Sequence, residues 1–131
     1  MAHPTPIGIE LHTRSRELEL KYPGDESYRL SYEFLRVMSP SAEVRGHGKG
    51  QEVLQWGKKD VAIEKIEVAG NYALQLFFDD GHDSGIYSWS YLKELCENMD
   101  KFWEEYLNRL DAKGKDRDPN TQAVRLIDPN A

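Results

Sequence analysis

Two short stretches near the start of the chain alternate apolar with polar residues, which is the period expected of strands with one buried face. The segment "HTRSR" separates them, and the turn-forming segment "PGDES" follows the second. The pattern predicts two strands, a turn, and a third strand that leads into a short helix capped by Ser31. This helix should end at Ser39, because the residue before Pro40 avoids helical geometry. The alternating residues are Ile7, Ile9, Leu11, Leu18, Leu20 and Tyr22.

A second set of strands is predicted from Val61 onward. A three-residue loop after Val68 would place Val68 opposite Tyr72 and Ile66 opposite Leu74, which gives one apolar face. The segment "DDGHDSG" then supplies turn residues before the next strand. The spacing therefore predicts an antiparallel meander.

One long amphipathic helix is predicted after this meander, capped by Ser88 or Ser90. Beyond Lys113 the chain is polar and contains two prolines, so residues 113–131 are expected to form a mobile tail. The fold class is α+β: a single small domain over residues 1–112, mainly antiparallel β-sheet, with a short helix after the first strands and the long helix at the end. The helix buries Leu92, Leu95, Cys96, Met99, Trp103, Tyr106, Leu107 and Leu110 and exposes Glu94, Glu97, Lys101, Glu105 and Arg109.

Composition and charge narrow the function classes. A chain of 131 residues has room for one modest hydrophobic core. The formal net charge of -6, with scattered basic residues, argues against nucleic-acid binding, which needs a concentrated basic face. The single cysteine, Cys96, excludes an intramolecular disulfide and a multi-thiolate metal site. The chain shows neither a signal-peptide pattern nor a long apolar run, so it is expected in the cytoplasm and not in a membrane.

Residues 39–57 are predicted to form a long irregular loop, since they carry Pro40 and four glycines. Loops of this length inside a compact domain are usually functional or mobile. Within it, Trp56 is the aromatic residue most available to a protein partner, and His47 lies in the glycine-rich "GHGKG". Trp56 and His47 are therefore the candidate partner-binding residues.

No catalytic constellation is evident in the sequence. There is no nucleophile elbow and no phosphate-binding loop that ends in Gly-Lys-Ser/Thr, so the chain is expected not to be an enzyme. His82 lies among Asp79, Asp80 and Asp83, which together offer ligands for a divalent ion. The simpler interpretation, which we favour, is that these residues only form a turn. Cys96 is interpreted as a buried, inert thiol.

Two segments, "LSYEFLRVMSPSAEVRGHG" and "VAIEKIEVAGNYALQLFFDDGHDSGIYSWSYLKEL", together resemble a bacterial family of unknown function that is similar to the N-terminal domain of gamma-butyrobetaine hydroxylase. The resemblance covers about residues 7–96, and "DGHDSGIYSWSYL" is its most specific part. It implies a small α+β domain built on a β-sheet with a few helices.

The same resemblance bears on the loop after the first helix. In zinc-binding relatives a Cys-x-Cys-x-x-Cys loop and a later histidine hold the metal; the corresponding positions here are Ser39, Ser41, Val44 and His82. Three of the four ligands are missing, so the zinc site is expected to be lost and no cofactor is expected. His82 then has three open interpretations: a relic, a hydrogen-bonding partner of the loop, or part of a weaker site with His47 and Asp83.

The hydroxylase chemistry of the related enzymes belongs to a separate domain with a His-x-Asp/Glu ligand pair. None of the histidines here is followed two positions later by an acid. The expected function is therefore a non-enzymatic accessory or interaction module with a protein partner. The alternative is a protein that binds iron or another divalent ion weakly through His82 and serves iron–sulfur cluster assembly, since related domains occur attached to ATPases of that process.

Overall fold

The computed structural model describes residues 5–46 and 52–120. They form two three-stranded antiparallel sheets and four helices, which confirms the α+β prediction. The first sheet contains β1 (Gly8–His12), β2 (Glu17–Tyr22) and β3 (Glu26–Ser31), and the second contains β4 (Ile63–Ala69), β5 (Ala73–Phe78) and β6 (Gly85–Ser88). The helices are α1 (Tyr32–Val37), α2 (Ala42–Arg45), α3 (Trp89–Glu97) and α4 (Met99–Ala112).

The first sheet follows the predicted alternation. Leu18, Leu20 and Tyr22 of β2 are buried, and Leu18 pairs with Leu30 of β3. Charged residues of β2 lie on the opposite, more exposed face. The turn between β2 and β3 needs positive φ at two residues, and the sequence places Gly24 (φ 80°) and Asp25 (φ 60°) there.

The second sheet has a different register from the predicted one. Val68 pairs with Leu74, and Ile66 pairs with Leu76, so the loop lies one residue later than predicted. The reason is that Tyr72 belongs to the turn, where it is 60% exposed, while Ala73 begins β5 and is buried. The prediction assumed that every apolar residue of the hairpin would face the core.

Helix α1 begins where the sequence predicted and ends at Val37, two residues before the predicted end at Ser39. The Ser31 hydroxyl accepts a hydrogen bond from the Phe34 amide at 3.0 Å, which is the predicted N-cap. All six residues of α1 are buried. The helix therefore places Ser39 in the interior, directly after its last turn.

The predicted long C-terminal helix is present as α4, but its first part is separated at Asn98 as α3. Asn98 has φ -122° and ψ 21°, and its side-chain amide donates to the Glu94 carbonyl at 2.9 Å. The spacing of apolar residues continues unchanged across the break, so the sequence pattern did not indicate where the helix would be interrupted. Tyr106 and Leu110 of α4 are buried against Val37 as a second core cluster, whereas Leu107, predicted to be buried, is 37% exposed.

Two further segments bear on the predicted loop and tail. Residues 42–45, predicted as irregular, form α2. Of the predicted tail, residues 113–120 are described, and Asp116 and Arg117 accept backbone hydrogen bonds from Gly57 and Lys59. Residues 121–131 lie outside the described residues, and the boundary after residue 112 stays a prediction. In the part of the chain that the structure describes, no helix has the length and apolar character needed to cross a bilayer.

Candidate functional site

His82 brings together three of the four positions that the resemblance aligned with zinc ligands. Its Nε2 atom lies 2.8 Å from Ser39 Oγ and 3.4 Å from Ser41 Oγ. Ser39 is fully buried, and His82 and Ser41 are almost so. Val44 is also buried, but its side chain offers no ligand atom.

The opposite side of the imidazole contacts a carboxylate that the sequence did not point to. His82 Nδ1 lies 2.9 Å from Glu43 Oε1, and Glu43 is on α2. Because a carboxylate only accepts, Nδ1 carries the proton and Nε2 accepts from the Ser39 hydroxyl. Ser39 Oγ in turn accepts from the Ser41 amide at 3.3 Å. Both ring nitrogens therefore have partners, and this Glu43–His82–Ser39 network joins α2 to the hairpin between β5 and β6.

A second group of charged side chains holds the same hairpin between β5 and β6. Arg36 Nε and Lys58 Nζ donate to Asp80 Oδ2 at 2.9 and 2.7 Å, and the His82 amide donates to Asp80 Oδ1 at 3.1 Å. Burial alone would raise the pKa of Asp80, but these hydrogen bonds outweigh it and hold the pKa at about 2. Asp80 is therefore ionised and neutralises the buried Arg36.

The electrostatic surroundings keep His82 neutral. Burial lowers its pKa below the ordinary value of 6.5, nearby Arg36 lowers it further, and the contact with Glu43 opposes both without reversing them. A neutral imidazole matches the hydrogen bonds described, since Nε2 must accept.

Close packing holds the Ser39 hydroxyl in place. A Cβ at Gly85 would lie 2.8 Å from Ser39 Oγ, so only glycine leaves room for the hydroxyl at this point of β6. Beside it, Tyr87 is fully buried and donates to the Leu35 carbonyl. The order Ser39–His82–Glu43 has the connectivity of an acid–base–serine relay, but Ser39 has no exposed surface.

The other candidate residues lie in different places. Trp56 is 45% exposed, with the Lys115 ammonium 4.8 Å from its ring centre, and His47 lies outside the described residues. Asp83 is exposed and its carbonyl accepts from Gln75, so Asp80 takes the place expected for Asp83 beside His82. The assignments of a metal at His82 and of a partner at Trp56 and His47 stay predictions.

The donor set beside His82 does not fit the zinc site that the sequence resemblance implied. One imidazole nitrogen and two neutral hydroxyls replace three thiolates and an imidazole, and hydroxyls bind zinc poorly. Ser39 Oγ accepts from the Ser41 backbone amide next to Pro40, while Ser41 Oγ faces His82. Of the α2 side chains, Val44 is buried and Ala42 is exposed.

A cleft lies beside the loop, between the end of α1 and the face of α4. Its volume is about 310 Å³. Arg45 of α2 stands at its edge with its guanidinium 5.4 Å from the Tyr91 ring centre, and the Tyr91 hydroxyl donates to the Met38 carbonyl at 2.6 Å. The remaining lining combines apolar and aromatic residues with charged residues: Val37, Val44, Val53, Phe102 and Tyr106, and Glu52, Glu94, Glu105 and Arg109.

Three solved structures are similar to this chain in sequence and in fold. Two proteins solved by NMR in solution share 51% and 46% identity with this chain; the first alignment covers 96% of this chain and 99% of the other at a TM-score of 0.80, and the second covers 95% and 94% at 0.76. A crystal structure of a protein of unknown function of the DUF971 family, from Acidithiobacillus ferrooxidans, shares 34% identity over 69% of this chain and 90% of its own, at a TM-score of 0.54.

Among curated proteins none matches the sequence. The family model for "gamma-butyrobetaine hydroxylase-like, N-terminal" matches residues 9–93, which include both sheets, α1, α2 and the His82 hairpin. This confirms the resemblance found in the sequence: the chain belongs to the family of gamma-butyrobetaine hydroxylase-like N-terminal domains, whose function is unknown.

Proposed function

We propose that the protein is a non-enzymatic accessory module of the cytoplasm, and that residues 39–57 with the adjacent hairpin bind a protein partner. The observation that carries the proposal is the Glu43–His82–Ser39 network, in which His82 and Ser39 are buried and Glu43 is exposed. Its hydrogen bonds attach the first part of the loop to the hairpin between β5 and β6. A preformed loop loses less conformational entropy when it binds.

The absence of enzymatic activity is supported by the state of the two candidate nucleophiles. Ser39 is fully buried and its hydroxyl is committed to His82. Burial raises the pKa of Cys96 to about 12, so its thiol is protonated at neutral pH and is a poor nucleophile.

The surface next to the network has the composition of a protein-binding site. Val53 lines the cleft and is 52% exposed, and Trp56, three residues later in the same loop, is 45% exposed. Apolar side chains surrounded by charges of both signs are typical of such interfaces, and tryptophan is common among their strongest contacts. The net charge of -6 favours a protein partner over a nucleic acid or an anionic membrane.

A capture experiment tests this proposal. The tagged wild-type chain is compared with the double variant Val53→Ser, Trp56→Ala. Tyr72→Ala is the control, because Tyr72 is also an exposed aromatic residue but lies in the turn between β4 and β5. We expect a specific partner to bind the wild type and the control and to be lost from the double variant. If the double variant retains every partner, this surface is not the binding site.

One observation favours the alternative of weak divalent metal binding, with a role in iron–sulfur assembly. The contact with Glu43 holds the proton of His82 on Nδ1, and a histidine that ligates a metal is often held by a carboxylate in this way. A metal would have to displace the Ser39 hydroxyl from Nε2 and would find only weak oxygen ligands. Calorimetric titration of iron(II) into untagged wild-type protein and into His82→Ala tests this alternative. If the wild type gives no binding heat beyond that of His82→Ala, the alternative is refuted.

A further inference from the structure

The chain fills a groove on its own surface with residues 115–119. We call this the Glu33 groove; it is formed by Glu33 of α1, Trp103 of α4, and the backbone of residues 57–59. The Glu33 side chain is only 6% exposed. Arg117 binds it as a fork, with Nε donating to Oε2 at 2.9 Å and Nη2 to Oε1 at 2.8 Å. The guanidinium also lies 5.2 Å from the Trp103 ring centre.

Backbone hydrogen bonds align the segment in the groove. The Gly57 amide donates to the Asp116 carbonyl at 2.9 Å, and the Lys59 amide donates to the Arg117 carbonyl at 3.0 Å. Gly57 has φ 68°, and a Cβ there would lie 3.3 Å from Pro119 Cα. The groove thus accepts a peptide backbone at close range.

These contacts recognise general features of a peptide. A carboxylate paired with a guanidinium fork, an aromatic ring beside it and two amide donors select an arginine and two carbonyl groups. The side chains of Asp116 and Pro119 are exposed and contribute nothing to the fork. The same contacts are therefore available to an arginine on another chain.

We infer that the Glu33 groove is a receptor site for an extended, arginine-bearing peptide of another protein, and that Arg117 occupies it until such a peptide displaces it. The net charge of -6 favours a basic partner of this kind. The inference does not depend on the proposed function, since neither Glu33 nor Trp103 lines the cleft beside the loop.

Exchange of one arginine for another explains how a buried carboxylate can serve as a binding site. An unpaired Glu33 would be strongly unfavourable at its buried position, so simple release of Arg117 is opposed. An incoming guanidinium replaces the lost partner in the same event. The tethered Arg117 competes at a high effective concentration, so a partner peptide must offer contacts beyond the groove.

The experiment uses the full chain with Arg117→Gln, which empties the fork, and Arg14→Gln as a matched control at an exposed arginine. The probe is a labelled synthetic peptide, Gly-Ala-Ala-Arg-Ala-Pro-Ala, which keeps only the arginine and the proline two positions later. We expect the Arg117→Gln chain to bind this peptide about 10- to 100-fold more tightly than the Arg14→Gln chain. Citrulline in place of the peptide's arginine, or the added change Glu33→Gln, should remove that gain.

Three results of the peptide experiment would overturn the inference. They are no binding to the Arg117→Gln chain, equal binding of the citrulline peptide, and binding only by a peptide with the native sequence of residues 113–120. The last would make the segment a structural strap specific to this chain. A concentration-dependent dimer of the wild type that Arg117→Gln abolishes would also overturn it, because the occupant would then be a second copy.

If Arg117→Gln does not fold, the wild type supplies the test through the NMR signal of Arg117 Nε–H. Excess arginine peptide should move this signal to the position of a solvated guanidinium, and the citrulline peptide should not. A signal unmoved by the arginine peptide would count against displacement.

Discussion

At the scale of single residues, His82 determines how the loop is held. Each ring nitrogen has a partner, the buried Ser39 hydroxyl at Nε2 and the exposed Glu43 carboxylate at Nδ1, and the resulting order of donors requires a neutral imidazole. The sequence pointed to His82, Ser39 and Ser41 through the family resemblance. Glu43 carried no such signal, because its role depends on α2 turning it toward the hairpin.

The pKa of His82 gives the first prediction. Because burial and Arg36 lower it in the folded protein, the unfolded state binds a proton more readily below pH 6.5. The free energy of unfolding should therefore fall as the pH drops from 6.5 toward the lower folded pKa, and this contribution should be fully present above 6.5. NMR titration of the His82 ring should give a midpoint below 6.5; a midpoint above it would contradict the neutral network.

Ser39→Ala gives the second prediction. It removes the donor to His82 Nε2 and leaves a buried acceptor without a partner, so we expect a loss of about 1 to 3 kcal/mol in the free energy of unfolding. Ser84→Ala is the matched control, since Ser84 is exposed and contacts Glu43 only at 3.4 Å; a change within about 0.5 kcal/mol is expected. Urea denaturation measures the free energy of unfolding of both variants. Equal losses would show that the buried hydrogen bond to His82 contributes no more to stability than the exposed contact of Ser84.

At the scale of elements, the site depends on β6 passing close to the residue after α1. Gly85→Ala would push a methyl group against Ser39 Oγ and the Tyr87 ring, so we expect a loss of about 1 to 3 kcal/mol. Gly8→Ala, in an edge strand where the new methyl meets only Lys21 at ordinary distance, should change stability by less than about 0.5 kcal/mol. Thermal unfolding distinguishes them, and a neutral Gly85→Ala would contradict the close contact.

The loop between α1 and β4 provides a further prediction. The triple variant Ser39→Cys, Ser41→Cys, Val44→Cys restores thiolates at the family's ligand positions, and His82 is already in place. We expect it to bind one zinc ion, because thiolates and an imidazole form a tetrahedral set. Cobalt(II) substitution should give thiolate charge-transfer absorption that the wild type lacks. Failure to bind would mean that the loop no longer has the geometry of its relatives.

The elements themselves were largely predictable, and the errors have physical causes. Alternation located β1 and β2, and the Ser31 cap with Pro40 bounded α1, because each rests on a local rule. The register of the β4–β5 hairpin was not predictable from apolar spacing, since Tyr72 is apolar and yet lies in the turn. The break at Asn98 was not predictable either, since apolar positions continue at helical spacing on both sides of it.

At the scale of the whole molecule, α4 and the segment after it lie beyond the family match at residues 9–93. They nevertheless contact the loop, since the Tyr106 hydroxyl donates to the Gln55 carbonyl at 2.8 Å and the Gly57 amide donates to Asp116. These long-range contacts could not be predicted, because polar residues after Lys113 resemble a free tail in any local pattern. The structure therefore extends the scaffold of the loop well past the family domain.

Hydrogen bonds around His82 hold residues 39–46, the first part of the proposed partner-binding loop, and we expect them to do so without a metal. Amide NMR of untagged protein, stripped with a chelator and then titrated with zinc and with iron(II), tests it most directly. The account predicts an unchanged, well-dispersed spectrum after stripping and no saturable shifts on titration. Shifts that saturate, stay within residues 39–46 and 78–85, and vanish in His82→Ala would contradict it and establish a metal site.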